Sequence, residues 1–370
     1  MRNTKVLMAA IAGATMLALA ACSQGGSTTG NPPVATTGAS DQGTVGTTAA
    51  KAPAPFDKPG VKVAIVQNSG QGDYFQQYLN GTKKQAAALG VDLDVYDAKG
   101  DNATQAQQLE QAIASGVKGI VVRHGFADTL CPGVNEAIQK KIPIVIYDVE
   151  IQKCAPDAVQ TQQSDADMAG LVLKQMAKDV GTGVDVGYVN VAGIAPLDRR
   201  DVVWQQSLKD NSWKQLFKTG TYTDSSATDT APMVVAALQA NPGVKAIYAP
   251  YDELSKGTLS ALQQLGIKDV KVYGADISNA DIELMTAAGS PWMATGATDP
   301  NAIGAAVLRT LFLDMAGQLD KKNVQFPPIL ITQDMLRSKN IKNMNDLRAA
   351  EPSLNISDVS GADWIPSVTF

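Results

Sequence analysis

The chain has 370 residues, 45% of them hydrophobic, and a formal net charge of −5. That length exceeds what one core usually serves, so two lobes are expected. The acidic balance argues against nucleic acid or an anionic membrane surface as partner. A single histidine leaves no His-based metal cluster, so neither a metal nor a cofactor is expected.

The N-terminus sets the compartment. Arg2 and Lys5 precede an apolar run from Val6 to Ala18, which ends in Leu19-Ala20-Ala21-Cys22. Basic start, short apolar run and small residues form a secretory signal over 1–21. A Cys after Leu-Ala-Ala resembles the bacterial lipobox, which implies lipidation at Cys22. Loss of Arg2 and Lys5 makes the charge −7. Residues 22–59 are rich in Ser, Thr, Gly, Ala and Pro and read as a flexible tether to a membrane. No second apolar run is long enough to span one.

From about residue 60 strands and helices alternate. Strands are expected at 61–66, 91–96, 119–123 and 143–148, with helices at 74–89, 104–114 and 128–140 between them. Strand starts recur every 25 to 30 residues, about one βαβ step. The pattern restarts with a helix at 165–180. Strands follow at 185–191, 215–222, 244–249, 270–274, 292–297 and 329–332. Helices are expected from 201, 231, 254, 280 and 302. Mostly uniform apolar strands separated by helices predict an α/β chain of two doubly wound parallel-sheet, Rossmann-like lobes. Such sheets bind ligands beyond the C-terminal ends of their strands.

Those ends carry polar and aromatic residues. Gly70 and Gly72 lack the third glycine of a dinucleotide fingerprint, since Phe75 stands in its place. Tyr74 and Phe75 open a helix, and at least one should turn away from the core to offer a face to the C–H side of a sugar ring. Arg123 and His124 follow the third strand, Asp148 and Glu150 the fourth. Arg200, Tyr251 and Asp276 follow strands of the second lobe. Carboxylates that accept from vicinal hydroxyls and a guanidinium that donates through a fixed fork suit a polyhydroxylated ligand. Asp198 and Asp252 are expected as helix N-caps. With Cys22 lipidated, Cys131 and Cys154 remain as an even pair in an exported protein, which suggests a disulfide.

In these residues the chain resembles the type I periplasmic binding proteins, specifically the ribose/galactose-type sugar-binding components of ABC importers. The resemblance runs over about 60–332. It rests on Asp73-Tyr74-Phe75 followed by Asn80-Gly81, Ile144 to Asp148, Arg200 with Trp204, Asn241 to Glu253, and Val272 to Asp276. It implies a hinge of three crossings, near Gln163, near Thr298 and at Gln325 to Pro328. The N-terminal lobe would hold 60–163 plus 299–325, the C-terminal lobe 164–298 plus 326–370. Ligand contacts are implied at Asp73, Tyr74, Phe75, Arg123, Asp148, Glu150, Arg200, Tyr251, Asp276 and Thr298. Val149, Ser225, Tyr251 and Thr298 depart from the ribose pattern, which leaves pentoses, hexoses and linear polyols open.

The resemblance implies a monomeric lipoprotein, not an enzyme, on the outer face of the cytoplasmic membrane or in the periplasm. It would pass a sugar or polyol to ABC permease subunits. The competing readings are a receptor that presents a sugar or autoinducer to a sensor kinase, and a secreted glycoside hydrolase using Asp148 with Glu150 or Asp276.

Overall fold

A computed structural model describes residues 51–370. The signal segment 1–21, Cys22 and most of the tether lie outside the described residues.

Each of two six-stranded sheets follows one scheme. In the first, β1 (Lys62–Gln67), β2 (Asp92–Asp97), β3 (Ile120–Arg123), β4 (Ile144–Tyr147) and β5 (Val159–Gln163) lie in the order β2-β1-β3-β4-β5. In the second, β6 (Asp185–Val189), β7 (Lys214–Thr219), β8 (Ala246–Ala249), β9 (Lys271–Ala275) and β10 (Trp292–Ala297) repeat it as β7-β6-β8-β9-β10. A sixth strand is added to each after the chain has visited both. β11 (Asn323–Phe326) pairs parallel with β5, and β12 (Ile329–Thr332) antiparallel with β10. Strand order reverses beside β1 and β6, and this reversal opens a crevice at the strand ends.

The sequence explains the layering. β3, β4 and β8 are buried at every position, as inner strands covered on both faces must be. β2 and β7 are half-exposed, and both are edge strands. In the first lobe α1 (Asp73–Leu89) packs on α9 (Pro300–Met315) through two glycines. A Cβ on Gly81 would fall 1.9 Å from the Asn301 carbonyl oxygen, and one on Gly304 would fall 2.1 Å from that of Tyr78. The remaining flanking helices are α2 (Asn102–Ala114), α3 (Ala127–Gln139), α4 (Asp165–Val180), α5 (Ala195–Asp210), α6 (Ser226–Ala240), α7 (Asp252–Leu265) and α8 (Asn279–Thr286). A disulfide joins Cys131 on α3 to Cys154 after β4, with Cα atoms 6.0 Å apart.

Several expectations are corrected. β5 and β11 are not among the strands read from the sequence, because VQTQQ and NVQF lack an apolar run and gain order from edge pairing. α5 begins at Ala195 rather than 201 and α6 at Ser226 rather than 231. Pro196 sits in α5's first turn, where a missing N–H costs nothing. Asp198 and Asp252 are not N-caps. Ile194 and Tyr251 hold those positions, and both Asp residues lie inside the first turn.

The tether ends earlier than 59, since Phe56 packs on Phe312 and Trp364 with ring centroids 5.1 and 5.2 Å away. Residues 326–370 do not all belong to the second lobe. α10 (Gln333–Ser338) and α11 (Met344–Ala350) pack there, but Ile356, Trp364, Ile365 and Phe370 pack on the first-lobe core. Buried Arg309 of α9 holds that returning tail by donating to the carbonyls of Ile356 and Val359 at 2.8 and 2.9 Å. No helix among the described residues is long and apolar enough to cross a membrane.

Candidate functional site: a closed cleft between the lobes

The strand ends of the two sheets face one another across a cleft, and side chains of the two lobes meet at both of its edges. Three non-glycine residues at strand ends adopt the left-handed backbone region. They are His124 after β3 (φ 53°), Asp148 after β4 (φ 54°) and Asp276 after β9 (φ 72°). Asp and His tolerate this region better than most residues, and such conformations persist where surrounding structure enforces them. Each is also buried.

The cavity spans about 410 Å³, counting the part of it that is open to solvent. Its first-lobe wall is Tyr74, Phe75, His124 and Gln163. Its second-lobe wall is Ile194, Pro196, Leu197, Arg200, Tyr222, Tyr251 and Asp276. Tyr74 and Phe75 are both buried, and both serve core and cavity together, so neither is turned away from the core. The Tyr74 hydroxyl bonds to that of Tyr147. The Phe75 ring lies edge-on to His124 at 5.0 Å and faces Tyr251 at 6.4 Å across the cleft.

Asp148 sits beneath this wall. Its Oδ1 accepts from Arg199 Nη2 at 2.8 Å, and its Oδ2 lies 3.9 Å from His124 Nε2 and accepts from Gln163 Nε2 at 3.4 Å. Burial pushes the Asp148 carboxyl up to about 7. Neighbouring Asp165 adds to the rise, and Arg199 and Arg200 oppose it. Burial likewise raises Asp276 to about 7 against the pull of Arg200, whose Nη1 is 3.6 Å away. Burial, reinforced by Arg123, Arg200 and Arg199, holds His124 well below its usual range. The imidazole is therefore neutral, and its buried Nδ1 has no partner.

Asp165 organises the arginines. One oxygen accepts from Arg199 Nε at 2.7 Å and the other from Arg200 Nε at 2.8 Å. Arg200 Nη1 also donates to the Pro250 carbonyl at 2.6 Å. The planar forks are thereby fixed before any ligand arrives. Those carboxylates raise the Arg200 pKa although burial acts against it.

Five of the sequence-expected contacts stand outside the cavity wall, Asp148 beneath it being the first. Asp73 lies at the rim, 2.7 Å from Lys256 of the other lobe. Arg123 lies beneath the floor and spends its donors on the Phe75 carbonyl and Gln67 Oε1 at 3.1 and 2.9 Å. Glu150 is exposed at the edge, 3.5 Å from Arg199. Thr298 is buried at a lobe crossing and donates to Gln163 Oε1 at 2.7 Å.

Sequence reasoning missed Arg199, Asp165, Gln163, Tyr222 and the Ile194–Leu197 stretch as site residues. Only the late placement of α5 hid the last. A helix starting at 195 puts 197 and 200 on one face with 194 as its N-cap.

Comparison with known proteins agrees with this architecture. Residues 63–318 match the family model described as periplasmic binding protein domain. The ribose import binding protein of Salmonella typhimurium is 29% identical over 216 residues, which is 58% of this chain and 72% of that protein. The structure of a 5-methylthioribose transporter solute binding protein from Thermotoga lettingae, in complex with 5-methylthioribose, superposes with a TM-score of 0.81. It is 35% identical and covers 85% of this chain and 98% of its own. A sugar ABC transporter from Yersinia enterocolitica gives a TM-score of 0.79 at 30% identity, covering 83% and 94%. With two mostly parallel sheets, a cleft at their strand ends and a family match over most of its length, the chain belongs to the periplasmic binding proteins.

Proposed function

We propose that the protein captures a monosaccharide or polyol between its lobes and presents the closed form to the permease subunits of an ABC importer. The observation that carries this reading is the closed cleft itself, with Phe75 and Tyr251 on opposite lobes and Asp276, Arg200 and Gln163 on its walls. Aromatic faces suit C–H surfaces, and the fixed forks and carboxylates suit hydroxyls. The relatives above are named for ribose, 5-methylthioribose and sugar transport.

The reading extends to the chain's ends. Cys22 would carry lipid, and the following stretch would tether a monomeric receptor to the outer face of the membrane. The lobes would be 60–163 with 299–325, and 164–298 with the segment from 326 to about 355. The described site holds no water-positioning carboxylate pair open to solvent. Asp148 is spoken for by Arg199 and Asp276 by Arg200, and this supports binding without turnover.

A thermal-shift screen of the full chain against sugars and polyols tests it. A ligand at a hundred times its dissociation constant should add about 2.7 kcal/mol of stability. A flat response across all carbohydrates would sink the reading.

A further inference from the structure

The cavity is amphipathic in an ordered way. Its aliphatic residues are Ile194, Pro196 and Leu197, and all three come from the start of α5. Leu197 is one helical step from Arg200 and Ile194 is the N-cap just before the helix, so the start of α5 presents two aliphatic side chains and then a guanidinium to the cavity. Ile194 and Leu197 are at most 9% exposed and Arg200 is 2% exposed.

A helix start ordinarily offers free N–H groups to a hydroxyl or an anion. Here that capacity is reduced. Pro196, in the first turn, has no N–H to offer. Neither Ile194 nor Leu197 has a polar side-chain atom. A sugar hydroxyl brought against this patch would lose its water and gain no partner from these side chains, whereas a methyl or thioether would fill it. The other cavity residues supply what a polyhydroxyl body needs. They are Gln163, Arg200 and Asp276, the neutral His124 with its unpartnered Nδ1, and aromatic rings on both sides.

We infer that the solute is a sugar or polyol carrying a short apolar group, methyl or methylthio in size, in place of a hydroxyl at the end facing α5. This rests on the proposal that the cleft takes a sugar, and it narrows the class of sugar.

The test is calorimetric titration of the full chain with matched pairs: ribose against 5-deoxyribose and 5-methylthioribose, and galactose against 6-deoxygalactose. Within the pair that binds, the apolar-ended sugar should be tighter by about 10- to 200-fold, the range for small apolar groups in a fitted pocket. Leu197→Asn should cut that ratio to below threefold by weakening the apolar-ended sugar more than its hydroxyl-ended partner. Ile194→Thr, a smaller change, should reduce the ratio in the same direction. An unchanged unliganded melt would establish that each variant is folded. A hydroxyl-ended sugar that binds as tightly as its apolar-ended partner overturns the inference and leaves sugar capture standing. Failure of every saccharide and polyol to bind overturns both.

Discussion

The Arg199 guanidinium crosses from the second lobe to the Asp148 carboxylate of the first, with Nη2 and Oδ1 2.8 Å apart. In the ribose-type pattern the resemblance implies, a positive residue follows this Asp within the same lobe. Here Val149 stands there and is buried. In the closed cleft the charge facing Asp148 therefore comes from the opposite lobe. Arg199 is itself fixed by Asp165 on its own lobe.

Arg199→Met should consequently weaken solute binding about 10- to 100-fold, because closure would bury Asp148 with its nearest cation missing. The unliganded melt should fall by less than the affinity, since Arg199 is itself partly exposed at the cleft edge. Arg199→Lys should recover only part of the loss, because a point charge cannot bond Asp165 and Asp148 through one planar fork. Titration calorimetry with the bound sugar reads these effects. An unchanged affinity for Arg199→Met would show that the cross-lobe pair plays no part in closure.

The opposite edge has its own latch. Lys256 Nζ lies 2.7 Å from Asp73 of the first lobe, and 2.8, 3.2 and 3.4 Å from Glu253, Asp252 and Asp281 of the second. Asp252 and Asp281 are buried, so Lys256→Met should destabilise the folded chain by about 3 kcal/mol. Asp73 is partly exposed and meets the cluster from the opposite lobe. Asp73→Asn should leave denaturant midpoints within about 0.5 kcal/mol of wild type and reduce affinity severalfold. Equal effects of the two variants on the unliganded melt would contradict this division.

The pH dependence follows from Asp276. Its carboxyl is raised to about 7 in the folded protein, whereas an unfolded Asp ionises near about 4. Between those values the native state holds a proton that the unfolded chain has lost. Stability from this group is therefore present at low pH and declines as pH rises towards 7. Asp276→Asn removes that term. Urea midpoints should show wild type losing a few kcal/mol relative to the variant between about pH 4 and 7. A parallel pH profile for the two proteins would place the Asp276 carboxyl in the ordinary range.

The disulfide closes a loop with a sequence separation of 23. Cys131→Ala with Cys154→Ala should cost about 2–4 kcal/mol, mostly through the unfolded state. Denaturant melts of the double variant and of reduced wild type should agree. No loss in either would show that the bridge adds nothing to stability.

How much of this was legible in the sequence depends on where apolar pattern decides structure. The inner strands read clearly because both their faces are buried, as in IVVR of β3 and IVIY of β4. β5 and β11 did not, since their glutamines and asparagine become strand only by pairing at the sheet edge. Tyr74, Phe75, Arg200, Tyr251 and Asp276 were readable as strand-end polar and aromatic residues, and all five line the cavity. Arg199 was not, because Arg199 and Arg200 are adjacent and nothing in the dipeptide tells which one reaches across. Asp165 read only as a helix start. Its bridge to two arginines depends on α4 and α5 packing side by side. The aliphatic patch was hidden by one misplaced helix start. Left-handed backbone at His124, Asp148 and Asp276 aims those residues and leaves no mark on residue pattern.

The central claim is that a sugar or polyol closes two lobes over itself without being altered. Small-angle scattering of the full chain, titrated with the solute that shifts its melt, measures this directly when the solution is assayed for product afterwards. The account predicts a saturable fall in radius of gyration and full recovery of the unaltered solute. Binding with no change in dimensions, or the appearance of a cleaved or modified sugar, would contradict it.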